Sequence, residues 1–480
     1  MSLPPIEAIL SSSRHATKLV FTNQTHLSNI SKIIGGDVSS LAIEGVPGAG
    51  KTTLFAKAVA DSIGDALCGG VRSKNLVIYI APTNALVLEF VAKLYSFLFK
   101  NCGEEDFIKR TRLYGSKIYS KRYPTVLKPI NDDVVLVAST EWQRVSARIT
   151  GGSRKAALLI DEASRMTVSR LLIPIADGLA RGRRERLGAL EITGVVVIGD
   201  ENQAIGLTDS ERRYLLLRRM RDLASKDKDH YIKYHFLNES YRLPPGTETP
   251  INEGYYGRRI RALGTRPSLK LDVKDIQDIV NEINSKIKIS NVTYKVLYDM
   301  LYNIFIDHQY LIHVETYEFK GGDTFCIDRT ELAAGVVLGL RYALEKAGNK
   351  MNISVVSPYA KMSGSPLIYL KLSGLRHSIE YGTVTSYIGR ESEIVVAVMG
   401  KERPMGTFYF RDPYLYSVQL SRHNKILVTI GCAECLRKAA EYELSRKLER
   451  SRGEEWKTAV EKMMKTAETL YSLTKISLVK

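Results

Sequence analysis

Hydrophobic positions in this chain fall into short unbroken runs separated by longer stretches of mixed polarity. Leu76–Ile80, Val134–Val137, Ala157–Ile160 and Val195–Ile198 form one group, and Ile353–Ser357, Ile394–Val398 and Ile426–Ile430 form a second. None alternates with polar residues as a strand with one wet face would. Such runs predict strands covered on both faces, as inside a parallel sheet. Helical periodicity fills many of the gaps, for example Thr52–Ser62 and Glu331–Lys346, so the pattern reads as α/β with two separate parallel sheets. Residues 258–320 break the rhythm: they are rich in Lys, Asp and Ile, and Tyr294, Tyr298 and Tyr302 recur at helical spacing. They predict a mostly helical insertion, with the tyrosines as core packing. Beyond 437 the charge is mixed, and Trp456, Val460, Met463, Ala467 and Leu470 share one helical face. That predicts a helical C-terminal tail docked by this face.

Composition narrows the class. A length of 480 residues suggests roughly three structural units at about 150 residues each. Sixty-nine Lys and Arg against 52 Asp and Glu leave a formal charge of +17, which points to a polyanionic partner. No apolar run is long enough to cross a bilayer, and the N-terminal residues lack the pattern of a secretory signal, so no membrane partner is expected. Five cysteines form a sparse, odd set, which predicts free thiols in the cytoplasm or another reducing intracellular compartment. Cys432 and Cys435 make a lone C-x-x-C with no second pair to complete a zinc tetrad. His235, His308 and His377 lack metal-ligand spacing and read as structural.

One segment carries explicit chemistry. Gly45-Val-Pro-Gly48-Ala-Gly50-Lys51-Thr52 fits G-x-x-x-x-G-K-[ST], follows the apolar Leu41-Ala-Ile43 and opens a helical pattern. Gly45, Gly48 and Gly50 let backbone N–H groups wrap phosphates at a helix N-terminus. Lys51 then reaches the β- and γ-phosphates of ATP, and the Thr52 hydroxyl binds Mg²⁺, with Thr53 beside it among the nucleotide contacts.

A phosphate loop needs a carboxylate for magnesium. Asp161-Glu162-Ala163-Ser164 follows the run ending at Ile160, and an acid there faces the crevice at the carboxyl edge of a sheet. Asp161 is the candidate metal ligand and Glu162 the base that activates water. The alternative is a strand followed by an ordinary acidic helix start. The run ending at Ile198 leads into Gly199-Asp200-Glu201-Asn202-Gln203. Gln203 could hydrogen-bond the γ-phosphate or the attacking water; otherwise it is a solvated amide in a polar turn.

The order of these motifs resembles superfamily 1 helicases. G-x-x-x-x-G-K-T, D-E-A-S and G-D-x-x-Q look like their motifs I, II and III. Asn23-Gln24 is similar to the Q motif, and Ala81-Pro82-Thr83-Asn84-Ala85 to motif Ia. Tyr241-Arg242-Leu243-Pro244 looks like motif IV, Ser357-Pro358-Tyr359 like a strand-ending element, Thr383 to Glu391 like motif V, and Ser421-Arg422 like motif VI. The wording most resembles the 5′→3′ branch containing the nonsense-mediated-decay helicase, and also echoes helicases of positive-strand RNA viruses. The resemblance implies two RecA-like P-loop NTPase domains with ATP bound between them. Gln24 would read adenine, Tyr241 would stack on it, and Gly389 and Glu391 would line the cleft. Arg242 and Arg422 would act as arginine fingers, planar cations against the charge of the transferring phosphoryl group. Two departures stand out: Ile388 where motif V carries Gln, and Asn424 where motif VI often has a second Arg.

Candidate nucleic-acid contacts follow. Pro82, Thr83 and Asn84 sit at a strand end and offer short polar contacts to phosphates, as do Ser139 and Thr140; Tyr359 and Thr383 lie in matching places of the second half. Residues 107–128 interleave Lys109, Arg110, Arg112, Lys117, Lys121, Arg122 and Lys128 with Phe107, Tyr114, Tyr119 and Tyr123, the mixture that single-strand binding uses. A solvated basic surface is the competing reading. Arg181, Arg183, Arg184 and Arg186 form a second cluster, and the arginines between 212 and 221 a third that is partly helix surface. The sequence therefore predicts RecA-like domains over 1–228, with a basic insertion near 91–133, and over 229–436, with the helical insertion, followed by the tail 437–480. The expected function is an ATP- and Mg²⁺-dependent translocase or helicase acting on single-stranded DNA or RNA and partial duplexes, moving 5′→3′. The rival is a nucleic-acid-stimulated ATPase that remodels nucleoprotein complexes without unwinding.

Overall fold

Ser40–Gly45 (β1) leads through the glycine-rich turn into Lys51–Leu67 (α2), and this β–loop–α unit lies inside a seven-stranded sheet. The computed structural model describes residues 24–37, 39–70, 73, 75–115, 129–150, 154–175, 190–287, 289–319, 324–372, 379–403, 407–445, 453–473 and 476–477. Preceding β1 is Gln24–Gly35 (α1), and after α2 come Leu76–Ala81 (β2), Asn84–Leu98 (α3), Glu104–Arg110 (α4) and Thr111–Tyr114 (β3). Leu136–Thr140 (β4), Arg154–Ile160 (β5), Val168–Ile175 (α5), Leu190–Gly199 (β6), Leu216–Ala224 (α6) and Ile232–Leu237 (β7) follow. Every pairing in the order β3-β4-β2-β5-β6-β1-β7 is parallel. All its strands therefore release their chains at one edge. The interior strand β2 is buried along its full length, as its unbroken apolar run predicts.

The chain divides into two compact units: the first ends at Leu237 but lends Asn202–Asp209 to the second, which continues from Asn238. A short parallel pair, Glu239–Ser240 (β8) with Arg261–Ala262 (β9), flanks Thr249–Gly254 (α7). The second sheet, order β12-β11-β13-β14-β10-β15, is also wholly parallel. Its strands are Leu311–Glu315 (β10), Ile353–Ser357 (β11), Glu380–Thr383 (β12), Ser392–Val398 (β13), His423–Gly431 (β14) and Ile476–Ser477 (β15). Val273–Ile287 (α8), Asn291–Phe305 (α9) and Ile327–Lys346 (α10) bury their apolar faces together, and Tyr294, Tyr298 and Tyr302 pack against that core. Ala360–Leu372 (α11), Tyr414–Leu420 (α12), Ala433–Ser445 (α13) and Glu454–Ser472 (α14) complete the unit. Both units are RecA-like α/β layers.

Several expected boundaries shift. The unit boundary falls after β7 rather than at 228, because Ile232–Leu237 is a half-buried strand paired with β1. The insertion near 258–320 includes β10, a strand of the sheet itself. The basic stretch near 91–133 contributes α4 and strand β3 to the first unit. The tail docks as its pattern predicts: Val460, Met463, Ala467 and Leu470 are buried. It packs on α7, where a Cβ on Gly254 would lie 2.5 Å from the Lys462 carbonyl oxygen and overlap Thr466. The expectation of free thiols is corrected: Cys68 pairs with Cys102 and Cys432 with Cys435 as disulfides, leaving Cys326 free. Residue counts do not reveal which cysteines the fold brings together.

Candidate functional site

The turn after β1 can be built only with glycine at two positions. Gly48 and Gly50 both have φ of 74°, the left-handed region that an ordinary side chain disfavours. Gly50 is also the N-cap of α2, so free N–H groups of the first helical turn face the loop. Within the loop the Lys51 ammonium donates to the carbonyl oxygens of Gly45 at 2.9 Å and Val46 at 3.2 Å.

The second component comes from β5, next but one to β1 in the sheet. Thr52 Oγ1 donates to Asp161 Oδ2 at 2.8 Å, and Tyr79 on β2 donates its phenolic hydroxyl to the same oxygen at 2.8 Å. The Glu162 backbone N–H donates to the other oxygen at 2.9 Å. Burial and the Glu162 carboxylate push Asp161 up to about 6, against the pull of the hydrogen bonds from Thr52 and Tyr79. A hydroxyl and a carboxylate at this separation are hard oxygen donors suited to Mg²⁺. Glu162 itself has φ of 50°, strain that persists where surrounding structure fixes it and that marks functional positions. Tyr79 was not singled out from the sequence. Its signal is a hydroxyl inside an otherwise aliphatic strand, which must find a partner when buried.

The second unit gathers another predicted group. Arg422 is buried; its Nε donates to the Val418 carbonyl at 3.1 Å and a terminal nitrogen donates to Gln203 Oε1 at 2.5 Å. Gln203 Nε2 is buried without a hydrogen-bond partner. Arg242 donates through Nε to Glu391 Oε2 at 2.6 Å and through a terminal nitrogen to the Ser421 carbonyl at 3.4 Å. Gly389, with φ of 76°, forms the turn just before Glu391. Lys462 on α14, which the sequence reading missed, donates to Asn202 Oδ1 at 2.8 Å. Thus Gln203, Arg242, Glu391 and Arg422 lie in one unit, and the phosphate loop, Asp161 and Glu162 in the other. Tyr241 donates its hydroxyl to Glu239 at 2.6 Å, and Gln24 is exposed at the start of α1.

The nucleic-acid candidates divide. Pro82, Thr83 and Asn84 are half-buried at the carboxyl end of β2, and Thr83 caps α3 by accepting from the Leu86 N–H. Thr383 is half-buried and bonded to Thr385 at 3.0 Å. Four assignments are corrected. Tyr114 is fully buried beneath Arg148, 4.6 Å from ring centroid to guanidinium carbon, and burial pushes its hydroxyl up to about 12. Ser139 is fully buried and donates to the Thr140 carbonyl, while Thr140 is buried beside it. Tyr359 is buried edge-on between Phe319 and Phe408. These rings and hydroxyls belong to cores, where an amphipathic tyrosine packs as readily as it stacks on a base. Lys117, its neighbours from 119 to 128, Arg181 to Arg186 and His377 lie outside the described residues. Among the described residues no cluster of metal-ligating side chains is found, and no helix is long and apolar enough to cross a membrane.

With this geometry in place, comparison with known proteins is informative. Residues 24–181 match the family model described as DEAD/DEAH box helicase. The matched segment contains the phosphate loop, Tyr79 and the Asp161–Glu162 pair. No curated protein sequence matches the chain. Similar solved structures include the arterivirus nonstructural protein 10 helicase, at 13% identity over 84% of this chain with a TM-score of 0.39, also solved with DNA. This chain covers 61% of that chain. S. cerevisiae Dbp5 bound to RNA and ADP BeF3 is similar at 13% identity over 96% of this chain and 98% of that one, with a TM-score of 0.37. These likenesses are distant, so the functional reading rests on the residues.

Proposed function

We propose that the protein is an ATP-driven single-stranded nucleic-acid translocase and helicase of superfamily 1 type, moving 5′→3′. The observation that carries the reading is the hydrogen bond between Thr52 and Asp161, which joins a complete phosphate loop to an acid at the end of the strand next but one. The loop N–H groups and Lys51 bind the β- and γ-phosphates, and Gln24 and Tyr241 hold the base. Thr52 and Asp161 hold Mg²⁺, which supplies charge neutralisation across those phosphates. Glu162 accepts the proton of the attacking water. Arg242 and Arg422 serve as cations for the transferring phosphoryl group, and Gln203, held by Arg422, reports whether the γ-phosphate is present. Glu391 orients Arg242. A cation set that engages only the triphosphate state gives two states with different contacts, the minimum a motor requires.

The strand is single-stranded DNA or RNA, for which Pro82, Thr83, Asn84 and Thr383 provide polar contacts to phosphates. The test is unwinding of partial duplexes with 5′ or 3′ overhangs in the presence of MgATP. Separation of the 5′-tailed duplex alone supports the reading. Separation of the 3′-tailed duplex alone overturns the polarity. Strand-stimulated ATP turnover with neither duplex opened favours the remodelling reading instead.

A further inference from the structure

The first unit leaves two large rings in water at the edge where its chemistry lies. Trp142 is 56% exposed and Tyr214 57% exposed. Trp142 lies two residues beyond the end of β4; because β4, β2 and β5 are parallel neighbours, it emerges from the same sheet edge as Asn84 and Asp161. The two rings come from distant parts of the sequence but are tied together. The Arg170 guanidinium lies 5.3 Å from the Trp142 ring centroid and is fixed by Glu141 at 3.5 Å and Glu211 at 2.8 Å. Two residues before Arg170, the Val168 N–H donates to the Tyr214 carbonyl at 3.0 Å. Arg219 in turn lies 5.5 Å from the Tyr214 ring centroid. Each ring therefore has a guanidinium held over it, and Arg144 and Arg213, two residues and one residue away in the sequence, are exposed.

We propose that Trp142 and Tyr214 form a stacking platform for the bases of a single strand, with Arg144, Arg213 and Arg219 meeting its phosphates. The proposal rests on the nucleic-acid reading above and deepens it. Rings with neighbouring arginines suit a polyanion carrying flat bases: every base offers a π-face, and the cations add sequence-neutral attraction. A protein partner would favour aliphatic surface with few free cations at its centre, since interface cores are depleted in charge. A strand stacked at the carboxyl edge of β4 also lies on the edge from which the phosphate loop and Glu162 emerge, so its presence can be sensed by that site.

The chain contains two tryptophans, Trp142 and Trp456, so a Trp456→Phe variant reports Trp142 emission alone. Full-length protein is titrated with oligothymidylate and with oligouridylate at fixed salt, following both emission and the anisotropy of labelled strand. Quenching of Trp142 by either strand, with Trp142→Ala and Tyr214→Ala each weakening binding about tenfold and Trp142→Phe recovering most of it, is the expected result. Thermal midpoints of the variants, at such exposed positions, serve as the folding control. Strand binding with unchanged Trp142 emission and undiminished affinity in both alanine variants overturns the platform while leaving the motor reading intact. No binding by the parent protein on either readout overturns both.

Discussion

Arg422 donates to the side-chain oxygen of Gln203 at 2.5 Å, although 219 positions separate them in the sequence. The contact joins the residue proposed to stabilise the phosphoryl group to the one proposed to detect it. Arg422→Ala should lower kcat by about 10³-fold, at the modest end of arginine-finger losses, while the affinity for MgATP changes little. Gln203→Ala should reproduce part of that loss. In the double variant the losses should fall well short of their sum, because the two act through one contact. Steady-state kinetics with nucleotide binding measured separately checks all three.

Lys462 reaches the neighbouring Asn202 from the C-terminal helix, and α14 is seated against α7 at Gly254. Gly254→Ala forces a methyl group into the Lys462 carbonyl and Thr466, so it should cost about 1–3 kcal/mol of stability in denaturant titration. Lys462→Ala should leave stability nearly intact yet lower kcat, with Lys462→Arg restoring much of the rate. A Lys462→Ala variant with unchanged kcat would show that α14 is only a buttress.

A buried pair anchors the second unit. Arg329 and Glu402 are 2.7 Å apart and almost wholly buried, and Arg329 also donates to the carbonyls of Tyr317, Met399 and Gly400. Burial pushes the Glu402 carboxyl up, with Arg329 opposing. Removing one partner strands a charge, so Glu402→Ala should destabilise the protein by about 3–5 kcal/mol in urea unfolding.

His423 makes stability depend on pH. The imidazole is buried, bonded through Nε2 to Thr247 Oγ1 at 2.7 Å; burial first, and Arg242 second, lower it from 6.5 to about 3. Between those values the unfolded chain binds a proton that the folded one does not. The contribution is therefore fully present above pH 6.5 and is lost as pH falls towards about 3, at about 1.4 kcal/mol per pH unit. His423→Gln should flatten that part of a plot of thermal midpoint against pH.

The geometry of the phosphate-type loop was legible where the turn constrains consecutive residues. Gly48, Gly50, Lys51 and Thr52 must be adjacent to make the loop, and Asp161 must end a strand. What the sequence hid is long-range. Tyr79, Arg329 and Lys462 act through partners 82, 73 and 260 positions away, and no local pattern marks such contacts. Tyr114, under Arg148, and Tyr359, between Phe319 and Phe408, pack in cores, which the sequence does not disclose because an amphipathic ring reads the same there whether it is buried or exposed. The edge strands β3, β7 and β12 escaped notice because their polar residues break the apolar runs that identify interior strands, although β3 is buried throughout.

The central claim is that a strand-responsive ATPase is built around Lys51, Thr52, Asp161 and Glu162. Its most direct test is MgATP hydrolysis by the full chain with and without oligothymidylate or oligouridylate, with Glu162→Gln as the blank. Turnover that rises strongly with either strand and vanishes in Glu162→Gln is the predicted result. Turnover that ignores both strands, or that survives in Glu162→Gln, would contradict it.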